Sequence, residues 1–305
     1  MCDSDWSSDV CSSDLPFFLS VGSRETHTPY PEAEPDLHPN EDPRYCLPPR
    51  PFPNTPRMRE MTAGLKASVR TMDNCWQQIL DTLEDTGLDR KTYVFCFTDH
   101  GLQWPLHIGN VGELGNAVFL IARGPEMFNG GKTVDAMVSL LDLFPTVCDL
   151  TGTVHPDWLQ GSSMLDLVTE RTDRLHHTLF FEQTYHAAYE PMRAVRTDRF
   201  LYIKRFDNRE APVLPNTDDT PAKFDMLDHG WKQQPRFQEM LYDLYFDPAQ
   251  QNNLIDCDDM ADTADRLRNR LSRWMQDTED PLRHGPVPLP DGARATHPDA
   301  AAPAG

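Results

Sequence analysis

No apolar run in this chain of 305 residues is long enough to cross a bilayer, so nothing in the sequence as it stands reads as a transmembrane helix. Cysteine is sparse as well. Of the seven, Cys2 and Cys11 fall in an atypical opening stretch, and the other five (Cys46, Cys75, Cys96, Cys148, Cys257) are scattered without metal-ligand spacing. That pattern argues against a disulfide scaffold and says little about compartment. Basic residues are the third shortage: 28 Lys and Arg face 48 Asp and Glu, a formal charge of −20. A chain so acidic repels nucleic acid and anionic membranes. An anionic substrate stays open, but only through a local cation or a bound metal.

The opening stretch, Met1 to Leu15, is mostly Ser, Asp and Cys with one Trp and no periodicity. From Asp5 onward it resembles the in-frame translation of a sequencing-library adapter, and is expected to be an artefact rather than native protein. A natural disordered acidic arm is the alternative. Its four acids account for four of the twenty excess negative charges, leaving −16. On the artefact reading the native start, and any signal peptide, lies outside the sequence given. The remainder, at 39% apolar overall, can bury a real core and suggests one or two domains.

The most informative stretch is Tyr93 to Gly101 (YVFCFTDHG), a short apolar run that stops at an acid, an imidazole and a glycine. Apolar runs without polar alternation suit strands buried on both faces of a parallel sheet. In such sheets ligands sit beyond the carboxyl ends of the strands. Asp99 and His100 would then offer an oxygen and a ring nitrogen to a cation; a capping Asp beside a surface His is the plainer reading. Pro16 to Gly22 (PFFLSVG) reads as a second buried strand, leading into a polar loop with His27 between prolines and aromatics. Proline-dense Pro31 to Pro56 is expected to be a long irregular excursion.

Met61, Leu65, Val69, Met72, Trp76, Ile79 and Leu83 recur at steps of three and four, predicting a helix over Arg57 to Leu88 that Gly87 stops. A strand over Ala117 to Ala122 and a helix over Val134 to Leu150 follow. After Gly161 the pattern alternates: strands over Thr178 to Glu182 and Met192 to Phe206 (turning at Thr197-Asp198-Arg199), then Leu241 to Tyr245. Pro212 to Pro235 reads as loop, Asp259 to Gln276 as an amphipathic helix, and the tail as mobile. The expected division is 1–15 artefact, 16–170 α/β core, 171–285 antiparallel subdomain with a helix, and 286–305 disordered tail.

Several segments together resemble the sulfatase family of the alkaline phosphatase superfamily: PFFLSVG with ETHTPYP, FTDHG, VSLLDLFPTVCDLTG, and LYDLYFDPAQQNNL, in that order. Within it, YHAAYEPMRAVRT and RWMQDTEDPLRHGPVPLPDG look most like the heparan N-sulfatase (N-sulfoglucosamine sulfohydrolase) branch. The resemblance implies an α/β fold: the C-terminal half of an alkaline-phosphatase-like doubly wound sheet plus a smaller antiparallel α+β subdomain. It implies hydrolysis of a sulfate ester or sulfamate on a sugar or glycosaminoglycan-derived substrate, N-sulfoglucosamine favoured, in a periplasmic, secreted or lysosomal setting. A phosphohydrolase or phosphodiesterase of the same superfamily is the alternative, and an inactive fragment a third reading.

By the same resemblance Asp99 and His100 become ligands of a divalent metal. The family usually holds Ca²⁺, although His100 would suit a transition metal better. His27 becomes the imidazole that contacts the sulfate and protonates the leaving group. The formylglycine nucleophile and the first metal-binding acids are expected upstream of Pro16. Cys46-Leu47-Pro48-Pro49-Arg50 fits the bare nucleophile pattern Cys-x-Pro-x-Arg but reads as a decoy, since Pro51, Pro53 and Pro56 forbid the helix that motif opens. Ile108 stands where the family offers a basic side chain to the sulfate, which makes His107 the candidate substitute. Tyr185, His186, Glu190 and Arg193 form a polar cluster, of which His186 and Arg193 are the candidate substrate-binding pair. His176 and His177, adjacent on a strand, cannot easily share one metal.

Overall fold

The computed structural model describes residues 16–30, 41–128 and 130–303. The opening stretch and residues 31–40 of the proline-dense excursion therefore lie outside the described residues.

Helix α1 (Pro56–Asp85) starts where Thr55 accepts a hydrogen bond from the Met58 N–H and Pro56 supplies a pre-set φ, and it ends before Gly87 at φ +70°. Its apolar stripe is buried only in the first half. Met58 and Met61 pack with Phe52, Trp104, Leu214, Ala222, Met226 and Trp231, which joins α1 to the loop after residue 99.

Strand β1 (Val94–Phe97) precedes a short helix α2 (Glu113–Asn116) and strand β2 (Leu120–Arg123). The expected parallel arrangement differs here: β1 and β2 pair antiparallel, with Val94 opposite Arg123 and Phe97 opposite Leu120. Apolarity identifies a strand but not the direction of its partner. Nor is β1 enclosed, since Phe97 and Ile121 are exposed. Pro16 to Gly22 corrects a second expectation. It is neither ladder-bonded nor buried, and Phe18 is 84% exposed. A strand needs a neighbouring backbone to pair with, and none among the described residues pairs with this one.

The helix expected from Val134 begins later, as α3 (Leu143–Thr151) behind a 3₁₀ turn at Leu140–Asp142. Ser139 and Asp142 form a capping box there, and Pro145 sits in the first turn, where it lacks no partner. A one-turn helix α4 (Leu165–Val168) follows.

The second half is a four-stranded antiparallel sheet in the order β3 (Leu179–Tyr185), β4 (Tyr189–Arg196), β5 (Phe200–Arg205), β6 (Glu239–Asp243). The β4–β5 turn falls at the predicted Thr197–Arg199. One face packs Val195, Tyr202 and Leu241 against Ala264, Leu267, Leu271 and Met275 of α6 (Ala261–Asp277), residues three and four apart on one helix side. The other face carries Met192, Ala194, Leu201, Ile203 and Tyr242 with Val111 from the loop before α2. The sheet thereby touches the first half through that loop.

Two segments expected to be irregular carry structure. Helix α5 (Pro221–Asp228) forms inside the expected loop, capped by Thr220 with Pro221 in the first turn. The tail expected to be mobile runs back over the sheet end: Thr296 bridges Ala188 in parallel and Lys223 Nζ donates to the Ala301 carbonyl at 2.8 Å. Arg209 also pairs with Asp299.

Candidate active site

The loop from Asp99 to Gly115 positions the candidate residues, and close backbone approach fixes its path. A Cβ on Gly101 would lie 1.9 Å from the Leu114 carbonyl oxygen, and one on Gly115 would lie 2.3 Å from that of Asn110. Only glycine fits at either end. Between them Trp104 is wholly buried; its Nε1–H donates to Tyr30 Oη at 2.8 Å, and Phe52 meets it edge-on. Burial pushes the Tyr30 hydroxyl up to about 12, so it stays a neutral acceptor for that bond.

Trp104 and Tyr30 tie this loop to the one that carries His27. The His27 imidazole is exposed yet held at both nitrogens. Nδ1 lies 2.5 Å from the Thr28 carbonyl oxygen, and a carbonyl only accepts, so Nδ1 carries the proton. Nε2 is then the lone pair, 2.7 Å from Gln103 Nε2. The Gln103 amide is itself oriented without ambiguity. Its oxygen accepts from Thr28 N–H at 2.7 Å and Thr28 Oγ1 at 3.1 Å, and its second N–H donates to Asp218 Oδ2 at 2.8 Å.

Asp99 and His100 emerge just past β1. His100 Nδ1 donates to the Gly101 carbonyl at 2.7 Å, leaving its Nε2 lone pair 3.8 Å from Asp99 Oδ1. The Asp99 side chain is 86% exposed. One carboxylate and one correctly tautomerised imidazole, close together and open to solvent, fit two positions of a metal shell. No group of three or more ligand-type residues occurs among the described residues. Two donors are fewer than a divalent cation takes.

The remaining candidates part company. His107 is buried and stacked on Phe52 with ring centroids 5.5 Å apart; its Nδ1 donates to the Pro105 carbonyl at 3.2 Å. Burial lowers its affinity for a proton, against a smaller opposing pull from that carbonyl. A neutral ring does not replace the basic side chain missing at Ile108. Because the folded value lies below the unfolded one of about 6.5, this group's contribution to stability is present above that pH. It is lost as pH falls through the folded value. Urea midpoints measured across mildly acidic pH should therefore decline less steeply for His107→Gln than for the parent.

His186 is exposed at the β3–β4 turn, beside Gly109, where a Cβ would stand 3.3 Å from the imidazole. Arg193, by contrast, is 1% exposed inside the sheet. Its five N–H groups go to both Asp280 oxygens, the Gln183 and Met192 carbonyls and Thr184 Oγ1. None is left for a substrate. Glu190 is also interior, accepting from Arg205, Arg236 and Asn216. His176 bonds Asp142 at 2.8 Å, while His177 lies against Arg174.

Cys46 is fully buried and closes a 3₁₀ turn (Pro43–Tyr45), with extended chain rather than a helix after it. Sequence reading missed Gln103 and Asp218. Neither residue type signals a role, and the two stand 115 positions apart. The one available clue was the Thr220–Pro221 helix start just beyond Asp218.

Comparison with known proteins bears on the family and the fold. The chain matches the Sulfatase family over residues 11–153 and the family described as N-sulphoglucosamine sulphohydrolase, C-terminal, over residues 114–234. It is 29% identical to the N-sulphoglucosamine sulphohydrolase of Homo sapiens, over 82% of this chain and 54% of that one. A putative sulfatase from Bacteroides thetaiotaomicron superposes with a TM-score of 0.60 at 20% identity, covering 95% of this chain and 61% of the other. The phosphonate monoester hydrolase of Agrobacterium radiobacter gives 0.55 at 19%, over 74% and 43%. These superpositions show a shared mixed α/β fold with antiparallel sheets. The chain spans about half the length of the curated relatives it matches. Its two overlapping family matches run from residue 11 to residue 234, and over that span the chain is similar to the sulfatase family.

Proposed function

We propose that the protein carrying this chain hydrolyses a sulfate ester or sulfamate on a sugar, with N-sulfoglucosamine as the favoured substrate. The observation that carries the reaction type is the exposed His27 imidazole, held in one tautomer with its Nε2 lone pair accepting from the Gln103 amide. Such a ring can take up a proton and deliver it to a leaving group. When the leaving group is an amine, as in a sulfamate, that proton matters most. The match of residues 114–234 to the C-terminal part of N-sulphoglucosamine sulphohydrolases supports the choice of substrate.

Asp99 and His100 would hold part of the shell of a divalent metal, Ca²⁺ by family habit or a transition metal on account of His100. When bound, it would neutralise sulfate charge and activate the nucleophile. His186, exposed beside Gly109, would contact the sugar. Arg193 would not, because all its donors are committed. The phosphonate hydrolase shares the fold, so the fold does not choose between sulfur and phosphorus chemistry.

The test is sulfate release from N-sulfoglucosamine by the full-length protein, with a phosphate monoester as the comparison. In the same assay Cys46→Ala should leave turnover unchanged, because the thiol is buried away from solvent. Loss of turnover with the fold intact would instead make Cys46 the nucleophile.

A further inference from the structure

Gln103 and Asp218 belong to no motif of the chain, yet the Gln103 amide, bonded to Asp218, meets His27 Nε2 while the Thr28 carbonyl meets Nδ1. The Gln103 amide cannot turn over. Rotation would aim its nitrogen at the Thr28 N–H, donor against donor, and its oxygen at the Asp218 carboxylate, acceptor against acceptor. Both mismatches lie at partly or wholly buried atoms, where an unmade hydrogen bond is costly. The amide must therefore present N–H to His27 Nε2. Asp218 is held in turn by the segment before α5. Next to it, Lys223, 1% exposed, donates to the Thr217 carbonyl at 3.0 Å and Asp219 Oδ1 at 2.7 Å, and to the tail at Ala301.

We infer that Gln103, clamped by Thr28 and Asp218, is a positioning residue that, with the Thr28 carbonyl at Nδ1, holds His27 as the Nδ1–H tautomer with its Nε2 lone pair accepting from the Gln103 N–H. This rests on the reading of His27 as the proton carrier, though the tautomer itself does not. Free histidine prefers the other tautomer, so the protein must impose this one. Nε2 carries no proton in this tautomer, so to act as an acid the ring must first take one up at Nε2, exchanging its contact with the Gln103 N–H for an acceptor on the substrate.

The experiment is long-range ¹H–¹⁵N correlation of the imidazoles in the ¹⁵N-labelled 305-residue chain, at alkaline pH where histidines are neutral. His27→Gln identifies the His27 signals. The expected result is a protonated Nδ1 and an acceptor-type, hydrogen-bonded Nε2 for His27. Gln103→Leu should shift it to a mixture richer in Nε2–H. Gln103→Glu with Asp218→Asn keeps the shape and puts an acceptor where the donor stood, so it should place a proton on His27 Nε2, as the Nε2–H tautomer or, with Thr28 still accepting from Nδ1, as the imidazolium. Either a predominant Nε2–H in the parent, or a tautomer unmoved by both variants, would overturn the inference.

In the full-length protein Gln103→Leu should lower kcat on the order of 10²-fold, as misplacement of a reacting group does, with KM nearly unchanged. A merely structural role would lower thermal stability and leave the tautomer alone. If the tautomer behaves as expected and no sulfate is released by any form, the functional reading fails while the positioning role stands.

Discussion

Replacing His27 by alanine in the full-length protein should lower kcat for a sulfamate about 10²–10⁴-fold, the usual contribution of a positioned general acid. The ring is exposed, and it makes two hydrogen bonds, with the neighbouring Thr28 carbonyl and with the Gln103 amide of the other loop. Removing it opens no cavity, so stability should change little. The loss should also depend on the leaving group. An amine departs badly unless protonated, whereas a nitrophenolate departs unaided, so His27→Ala should damage sulfamate turnover far more than turnover of an activated aryl sulfate. Steady-state rates on the two substrates check this. Equal losses on both would mean that His27 binds the sulfate rather than protonating the departing group.

The second large effect concerns stability. Arg193→Leu should destabilise the protein by about 3–5 kcal/mol, the cost of stripping one member from a buried ion pair. The pair is enclosed on both sides, each side chain being 2% exposed, with Nε 2.5 Å from Asp280 Oδ2. Asp280 also accepts from the Leu282 N–H at 2.9 Å, so it ties β4 to the turn that follows α6. Left alone, its carboxylate would be buried without its counter-charge. Asp280→Leu alone should be comparably harmful, and the double variant should recover much of the loss, because two apolar groups leave no charge stranded. Denaturant midpoints test all three. If Arg193 bound substrate instead, Arg193→Leu would raise KM and leave the midpoint where it was.

The contrast between these two residues shows what sequence could and could not reveal. His27 sits in a short polar loop beside prolines and aromatics, and it is exposed there. Arg193 was a candidate only because it neighbours His186 in a polar cluster, and its partner lies 87 positions further on. Periodicity located α1, α6 and the β4–β5 hairpin well, since each buries a face fixed by residues three, four or two apart. It failed for Pro16 to Gly22, whose apolar residues are exposed, and for the antiparallel direction of β1 and β2. Both turn on which backbone lies alongside, which apolarity along one segment does not report. The Asp218–Gln103–His27 relay failed for the same reason. Asp218 reaches the site only because α5, capped by Thr220, packs its Ala222 and Met226 with Met58 of α1.

The measurement that bears most directly on the proposed activity is the product released by the full-length protein, supplied with divalent metal, from two matched substrates. Inorganic sulfate from N-sulfoglucosamine, abolished by Asp99→Ala and far exceeding phosphate from glucosamine phosphate, is the result expected. Phosphate release that dominates, or sulfate release indifferent to Asp99, would contradict it.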